Sequence, residues 1–327
     1  LLPLVNAILV TGLRSDYLQN FPFILGIVGI TVLAALVSGS YPSLYLSAFQ
    51  PVRSLRGELK PGRREPNMKN LLLVFQFTVS IILIVCTLTI HNQMHFIQKR
   101  NLGLKKDFVV NVPIRAEELR EKGELIKSEL SRNPGILGAT ISSFSPGSYP
   151  NQSVTWEGQK DNEELMMPWY AVDPDFIRTF EIEILKGRDF SREFPSDVKS
   201  AYILNETAVK VFGWDNPMGK RFRVDMAGVP MGTVVGVMKD FHFTSLHEDI
   251  RPLALILFPG KGSTFSIKIA SQDVRETLSF IEKTFKGFAP QMPYSFSFMD
   301  EEIAGMYGAE NRLGKLFDSF SVVALFI

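Results

Sequence analysis

The chain is short of the residues that most chemistries need. Cys86 is the single cysteine among 327 residues, which excludes a disulfide scaffold. Neither sign of charge is in excess: 35 Lys+Arg face 34 Asp+Glu, a net charge of +1, without the basic footprint of a general nucleic-acid binder. No G-x-x-x-x-G-K-[ST] run is present to bind ATP through a P-loop, and no G-x-S-x-G run to present a serine nucleophile. Intrinsic disorder is excluded by a hydrophobic content of 46%. The mean hydropathy of +0.10 is high for a soluble protein and low for a polytopic membrane protein, as an average over two populations would be. The length allows two or three domains.

Charge is missing locally as well. Residues 71–90, LLLVFQFTVSIILIVCTLTI, hold twenty positions without one charged side chain. As a helix they span about 30 Å, the thickness of a hydrocarbon core, so a membrane span is favoured over a buried core helix. Phe21–Val37 is also uncharged and continues to Phe49. Its Gly26, Gly29, Ser38 and Gly39 permit close helix approach, and Tyr41, Pro42 and Tyr45 mark a bend near a membrane surface. LLPLVNAILV at the start and LFDSFSVVALFI at the end read as cut membrane helices, so the chain reads as part of a longer one, with no signal-peptide layout. Between the two complete spans, residues 50–70 carry six basic side chains against Glu58 and Glu65. Such a short basic loop belongs on the cytoplasmic side, which turns the segment after residue 90 outward.

Residues 101 to about 300 contain no membrane-length apolar run and form an aqueous domain. FVVNVP (108–113) and ILGATISS (136–143) read as strands flanking a helix over 116–132, stopped by Pro134-Gly135. TFSIKIA (264–270) and YSFSFM (294–299) flank a second helix. Asp273 is its cap, Val274, Leu278, Ile281 and Phe285 its apolar face, and Gly287 its stop. Two β-α-β units with one apolar helical face each are best served by a shared sheet with both helices on one side. The stretch from 145 to 261 is different, with short strands such as AYILN, RFRVDM, MGTVVGVM and PLALILF. Asn205 caps a helix that Gly213 ends, and the whole reads as a β-rich inserted lobe.

No catalytic constellation emerges, and no catalytic, cofactor-binding or metal-binding residue is assigned. His242 and His247 in KDFHFTSLHED lie near acidic residues, but the spacing fits no closed metal site and favours a structural or surface role. His91 and His95 are i,i+4 without the glutamate of a zinc-protease motif. Cys86 in an apolar span behaves as a small hydrophobe. Beyond the membrane, Ile90, Met94 and Ile97 share a helical face. Ile303, Met306, Leu313 and Phe317 do the same before the last apolar segment, after a cap at Asp300. This predicts a stalk of two packed helices.

The runs YAVDPDFIRTFEIEILKGRDFS (170–191), ILNETAVKVFGWDNPMGKRF (203–222) and VVGVMKDFHFTSLHEDIRPLALI (234–256) resemble the MacB-type periplasmic core domain. SGSYPSLYLSAFQPVRSLRG (38–57) and NLLLVFQFTVSIILIV (70–85) resemble the FtsX-like permease halves that flank it, in the tandem layout common in Bacteroidetes. The resemblance implies a non-catalytic permease of an ABC transporter, in the cell inner membrane, multi-pass, with a periplasmic domain and no cofactor. Its implied partners are a cytoplasmic ABC ATPase subunit, the lipid bilayer, a periplasmic adaptor with an outer-membrane channel, and a second permease half. The implied activity is export or efflux by mechanotransmission, the stalk carrying ATP-driven movement outward. The corresponding organisation is a helix end and outer loop (1–20), a membrane helix (21–49) and a basic cytoplasmic linker (50–70). A membrane helix extending into the stalk follows (71–100), then an α/β (α+β) core domain (101–299) and a stalk helix leading into the next membrane helix (300–327). Within the domain, the βαβ lobe takes 101–144 and 262–299, and the inserted lobe 145–261. Two other readings stay open at this point: a membrane-bound extracytoplasmic sensor or receptor, and a membrane-anchored hydrolase.

Overall fold

A computed structural model of the protein describes residues 24–26, 28–36, 39, 68–99 and 102–326. The expected helix end and loop over 1–20, and the basic linker up to residue 67, lie outside them. The chain divides into two units, Leu1–Met94 with Ala309–Ile327, and His95–Gly308.

In the first unit the described residues are helical. Ile24–Leu36 is a short apolar helix. Helix α1 (Met68–Lys99) contains a stretch, Leu73–Phe96, long and apolar enough to cross a membrane. Phe75, Phe77, Leu88 and Ile81 on α1 are all well exposed. A buried core helix would hide such side chains, whereas lipid accepts them.

The second unit is built on one sheet of eleven strands. Its first part uses β1 (Val109–Pro113), β2 (Ile136–Ser142), β10 (Thr264–Ile269) and the short β11 (Ser297–Phe298). Their order is β11-β1-β10-β2, all neighbours antiparallel, which is the split β-α-β arrangement. Helices α2 (Glu117–Glu121), α3 (Gly123–Leu130) and α6 (Val274–Phe288) cover one face. There Leu119, Ile126, Leu130, Ile281 and Phe285 pack on Val110, Val112, Ile141, Phe265 and Ile267. Both helical segments thus lie on one side, as the two apolar faces require. The single helix read over 116–132 is broken at Lys122. Gly123 brings the backbone so close to the sheet that a Cβ there would stand 2.4 Å from Ile141 Cδ1.

Four other local expectations give way. Gly287 does not stop α6, which runs on to Phe288. Asp273 occupies the cap position in a left-handed conformation, without a side-chain capping bond. Only two residues of YSFSFM pair as a strand, because Met299 already begins helix α7 (Met299–Met306). Phe298, not Asp300, takes the cap position of that helix.

The inserted strands are β3 (Asn151–Trp156), β4 (Met166–Val172), β5 (Ile184–Gly187), β6 (Ala201–Asn205), β7 (Arg221–Val224), β8 (Gly232–Met238) and β9 (Ala254–Leu257). Following the pairings β3–β4, β4–β9, β9–β6, β6–β8, β8–β7 and β7–β3 returns to the start. Six strands therefore close a small barrel, with β5 added along β8. Its interior holds Trp156, Trp169, Tyr202, Phe222 and Ile256, and helix α5 (Glu206–Phe212) adds Ala208. Asn205 caps α5 by accepting from the Ala208 amide at 3.0 Å, and Gly213 ends it in the left-handed region, both as read from the sequence.

Candidate functional site

The chain comes into the domain at Leu102 and leaves it at Tyr307, and both ends meet one patch. Leu102, Leu104, Phe144, Pro146, His242, Phe243, Ile303, Met306 and Tyr307 surround a small enclosed space there. Above it lies an aromatic cluster in which Phe144 meets Tyr170, Phe241 and both Phe176 and Phe180 of helix α4 (Phe176–Phe180) edge-on, with centroids 5.1 to 6.2 Å apart. Phe243 adds to it through Phe241 and Tyr170. Such edge-to-face contacts add ~1 kcal/mol each beyond area burial and fix orientation.

Backbone bonds tie the incoming and outgoing ends to this floor. His242 N–H donates to Leu102 O at 2.7 Å, and Lys105 N–H to Phe180 O at 2.9 Å. Leu246 N–H donates to the Tyr307 phenol oxygen at 2.8 Å. Gly147, at φ +73°, lets the loop after β2 press on α7; a Cβ there would lie 3.1 Å from Met306 side-chain atoms. The segment KDFHFTSLHED is therefore a structural floor. Phe241 and Phe243 point into the core, and Asp240 accepts from the Thr207 hydroxyl at 2.7 Å and its amide at 3.1 Å at the start of α5. His247 lies edge-on against Tyr307.

A second feature joins the barrel to the split β-α-β sheet. The ladder between them is one residue pair, Ser142↔Val172, flanked by Ser143 N–H donating to Ala171 O at 2.8 Å. Beside it lies an ion cluster that is buried at Lys127 and Asp173 and open to solvent at Arg192 and Glu124. Lys127 Nζ reaches Asp173 at 2.5 Å and Asp175 at 2.8 Å, and Arg192 reaches Asp175 at 2.6 Å and Glu124 at 2.8 Å. Asp173 also accepts from Ile141 N–H and the Thr140 hydroxyl. Burial pushes the Asp175 carboxyl up, but hydrogen bonds from Arg192 and Lys127 outweigh it and hold the group at about 2. Burial pulls Lys127 down, and the Asp173 charge and the hydrogen bonds of its acidic partners overcome this, leaving it above the usual lysine value. The cluster fastens α3, the end of β4 and the barrel's Arg192 loop to one another.

In the other unit, α1 packs antiparallel to α8 (Gly308–Phe326). The Thr87 and Ser321 hydroxyls are 3.1 Å apart, and His91 Nε2 lies 3.2 Å from Asp318 Oδ1. Ser80 donates to Ala324 O at 3.4 Å, and Ile90 presses on Gly314. The contact face of α8 is thus Gly314, Asp318, Ser321 and Ala324, in which the small Gly314, Ser321 and Ala324 suit close approach. The sequence pattern instead put Leu313 in the contact, yet it is 48% exposed. The helix breaks at Tyr307, so the phase of α7 does not carry into α8. Ile97 has no described side chain. Cys86 is a free thiol on α1. Among the described residues no three His, Cys, Asp or Glu side chains gather as metal ligands.

With this geometry, comparison decides the family. A model of the MacB-like periplasmic core domain matches residues 78–281. The chain belongs to that family. A MacB-like domain is the extracytoplasmic part of an ABC transporter permease and is not itself catalytic. The periplasmic region of MacB from Actinobacillus actinomycetemcomitans is similar at 13% identity and TM-score 0.45, over 64% of this chain and 97% of that one. The extracellular domain of the noncanonic ABC-type transporter YknZ from Gram-positive bacteria is similar at 17% identity and TM-score 0.40, over 58% and 98%. No match was found among the curated proteins. Sequence reasoning located the family-bearing runs but not the ion cluster; the spacing of Asp173 and Asp175 was its one visible trace.

Proposed function

We propose that this MacB-like chain is the permease subunit of a multi-pass inner-membrane ABC transporter. A separate ATPase subunit on the cytoplasmic side hydrolyses ATP, and the permease passes the movement to its periplasmic domain for export or efflux. The observation that carries this reading is the antiparallel pair α1 and α8, held through Thr87–Ser321 and His91–Asp318. A stiff helix pair leading into and out of one domain can transmit a displacement without lining a path for cargo. The meeting of the incoming and outgoing ends at the aromatic floor supports the same reading, because movement of either end is felt there first.

In this proposal residues 101–299 act as the driven part, and the helices on either side of them as the stalk and its membrane continuation. Two permease halves work together, and an adaptor with an outer-membrane channel receives the cargo. The test is affinity purification of the full-length permease from its native membrane in mild detergent. A cytoplasmic ATPase with a P-loop should copurify in near-equal amount and hydrolyse ATP. A kinase or cyclase region in the same polypeptide, with no ATPase bound, would overturn the proposal in favour of a receptor.

A further inference from the structure

Strand β2 has a neighbour along only part of its edge on the side away from β10. Its pairing with β4 is the single step Ser142↔Val172. At Ile141 the Asp173 residue stands in for a strand: its N–H donates to Ile141 O at 3.2 Å, and Ile141 N–H donates to Asp173 Oδ2 at 2.9 Å. From Ala139 back to Ile136 the edge is open, about 13 Å of strand at ~3.3 Å per residue. Ile269 N–H donates to Phe108 O, so Phe265, Ile267 and Ile269 of β10 bond β1, and the residues between them bond β2. Their β2 partners are Gly138, Thr140 and Ser142, which turns the N–H and C=O of Ala139 outward. Neither group finds a partner on that side among the described residues. Leu137 is the extra residue of a bulge, with no partner in β10.

This open edge lines a cleft of about 340 Å³, within the size range of ligand pockets. Helix α3 borders it with Lys127 and Ser128, and α4 with Asp175 and Arg178. Helix α4 lies close along the edge, since a Cβ on Gly138 would stand 3.4 Å from Thr179 Oγ1. The acids in the cleft are already engaged. Lys127 gives its three protons to Glu124, Asp173 and Asp175, and Arg192 holds the remaining oxygen of Glu124 and both of Asp175. Arg178 is different. It is 80% exposed and spends one of its five N–H groups on Asp175 Oδ1 at 2.9 Å. The others have no acceptor among the described residues, and Asp189 acts on it only at longer range. What the cleft leaves unmet is therefore the donor and acceptor of a strand edge, together with a guanidinium.

We propose that this cleft is a docking slot for an extended peptide segment that carries an acidic side chain. The segment adds a short strand beside Ala139, and its carboxylate meets the Arg178 guanidinium. Backbone pairing selects the extended conformation, and the guanidinium selects the charge. A basic side chain would find the neighbouring carboxylates taken. Asp173 closes the slot at Ile141, so the added strand is short and its affinity modest. Leu137, 62% exposed at the rim, offers the segment an apolar contact. The slot goes beyond the permease reading and would hold equally in a receptor.

The test is fluorescence polarisation with the full-length protein in detergent and the peptide fluorescein-Gly-Val-Glu-Val-Thr-Val-amide. It should bind at least about tenfold tighter than the same peptide with Lys for Glu. A third peptide, with Gln for Glu and a free C-terminal carboxylate, should also bind about tenfold more weakly than the first. Equal binding would assign the contact to a chain terminus and overturn the acidic side chain. Ala139→Pro removes the outward N–H at an edge position where proline is tolerated, and should weaken the Glu peptide at least about fivefold. Arg178→Glu, at an exposed side chain, should reverse the order of the Glu and Lys peptides, and it decides the matter should Ala139→Pro unfold. Lys286→Glu on α6 should leave that order unchanged. The proposal is overturned if nothing binds up to about 1 mM, or if the Glu and Lys peptides bind alike. It is also overturned if folded Ala139→Pro binds as wild type, if Arg178→Glu keeps the wild-type order, or if Lys286→Glu reverses it as well. Failure here with an ATPase still copurifying would sink the slot and leave the permease reading intact.

Discussion

The phenol oxygen of Tyr307 accepts the amide hydrogen of Leu246 at 2.8 Å, at the one residue where the outgoing helix is interrupted. Tyr307 is 1% exposed, so its ring is enclosed, while Leu246 is half-buried. Tyr307→Phe keeps the ring and strands the amide, which should cost about 1–2 kcal/mol. Tyr307→Ala also empties the space beside Met306 and should cost about 3–5 kcal/mol. Thermal unfolding followed by circular dichroism checks both, and a Tyr307→Phe variant as stable as the wild type would mean that the hydrogen bond contributes little.

Gly147 predicts a separable strain. Gly147→Ala forces a side chain into the left-handed region and against Met306. It should lose about 1–2 kcal/mol in denaturant unfolding. Adding Met306→Ala should recover the contact part of that loss but not the backbone part. Full recovery would show that only crowding matters.

The ion cluster sets an acid limit. Asp175 is held at about 2, below its unfolded value near 3.9, so its contribution is present above about pH 4 and is lost as pH falls toward 2. The size is about 1–2 kcal/mol after allowance for its partial exposure. Asp175→Asn should lower stability at pH 7 and flatten that part of the pH curve, measured by denaturation at fixed pH steps.

Asp189 carries the opposite sign. Burial raises it to about 6, against the hydrogen bond from Phe190 N–H. Stability tied to its neutral form is complete below about pH 4 and is lost as pH rises through 6. Asp189→Asn keeps the acceptor and removes the charge, so stability at pH 7 should rise by about 1–2 kcal/mol with little change at pH 4.

Much of the first lobe was legible because its signals are local. FVVNVP, ILGATISS and TFSIKIA read as strands, whose alternation in the structure puts Val110, Ile141, Phe265 and Ile267 on one face, and the helical spacing of Ile281 and Phe285 gave that face a cover. The same alternation contained Asn111, Thr140 and Ser266, but a polar residue on a strand reads as solvent-facing until something is seen to cover it. The barrel was legible only as strands. Its closure depends on β4 pairing in parallel with β9, whose residues are distant in the chain, and no local pattern encodes such a partner. The stalk face was misphased from Leu313 because a seven-residue pattern cannot register the break at Tyr307. The histidines were read as structural or surface residues, and the two of KDFHFTSLHED lie at the floor, His247 against Tyr307.

The central claim is that movement passes through α1 and α8, and a disulfide placed between them tests it most directly. Thr87→Cys with Ser321→Cys, in a Cys86→Ser background, replaces two hydroxyls now 3.1 Å apart. The variant is reconstituted with the copurifying ATPase, and crosslink formation is followed with and without a non-hydrolysable ATP analogue. Nucleotide should change the crosslinking rate severalfold, and the locked pair should abolish export while ATP hydrolysis remains measurable. Equal rates in both states, with export unchanged after locking, would contradict it.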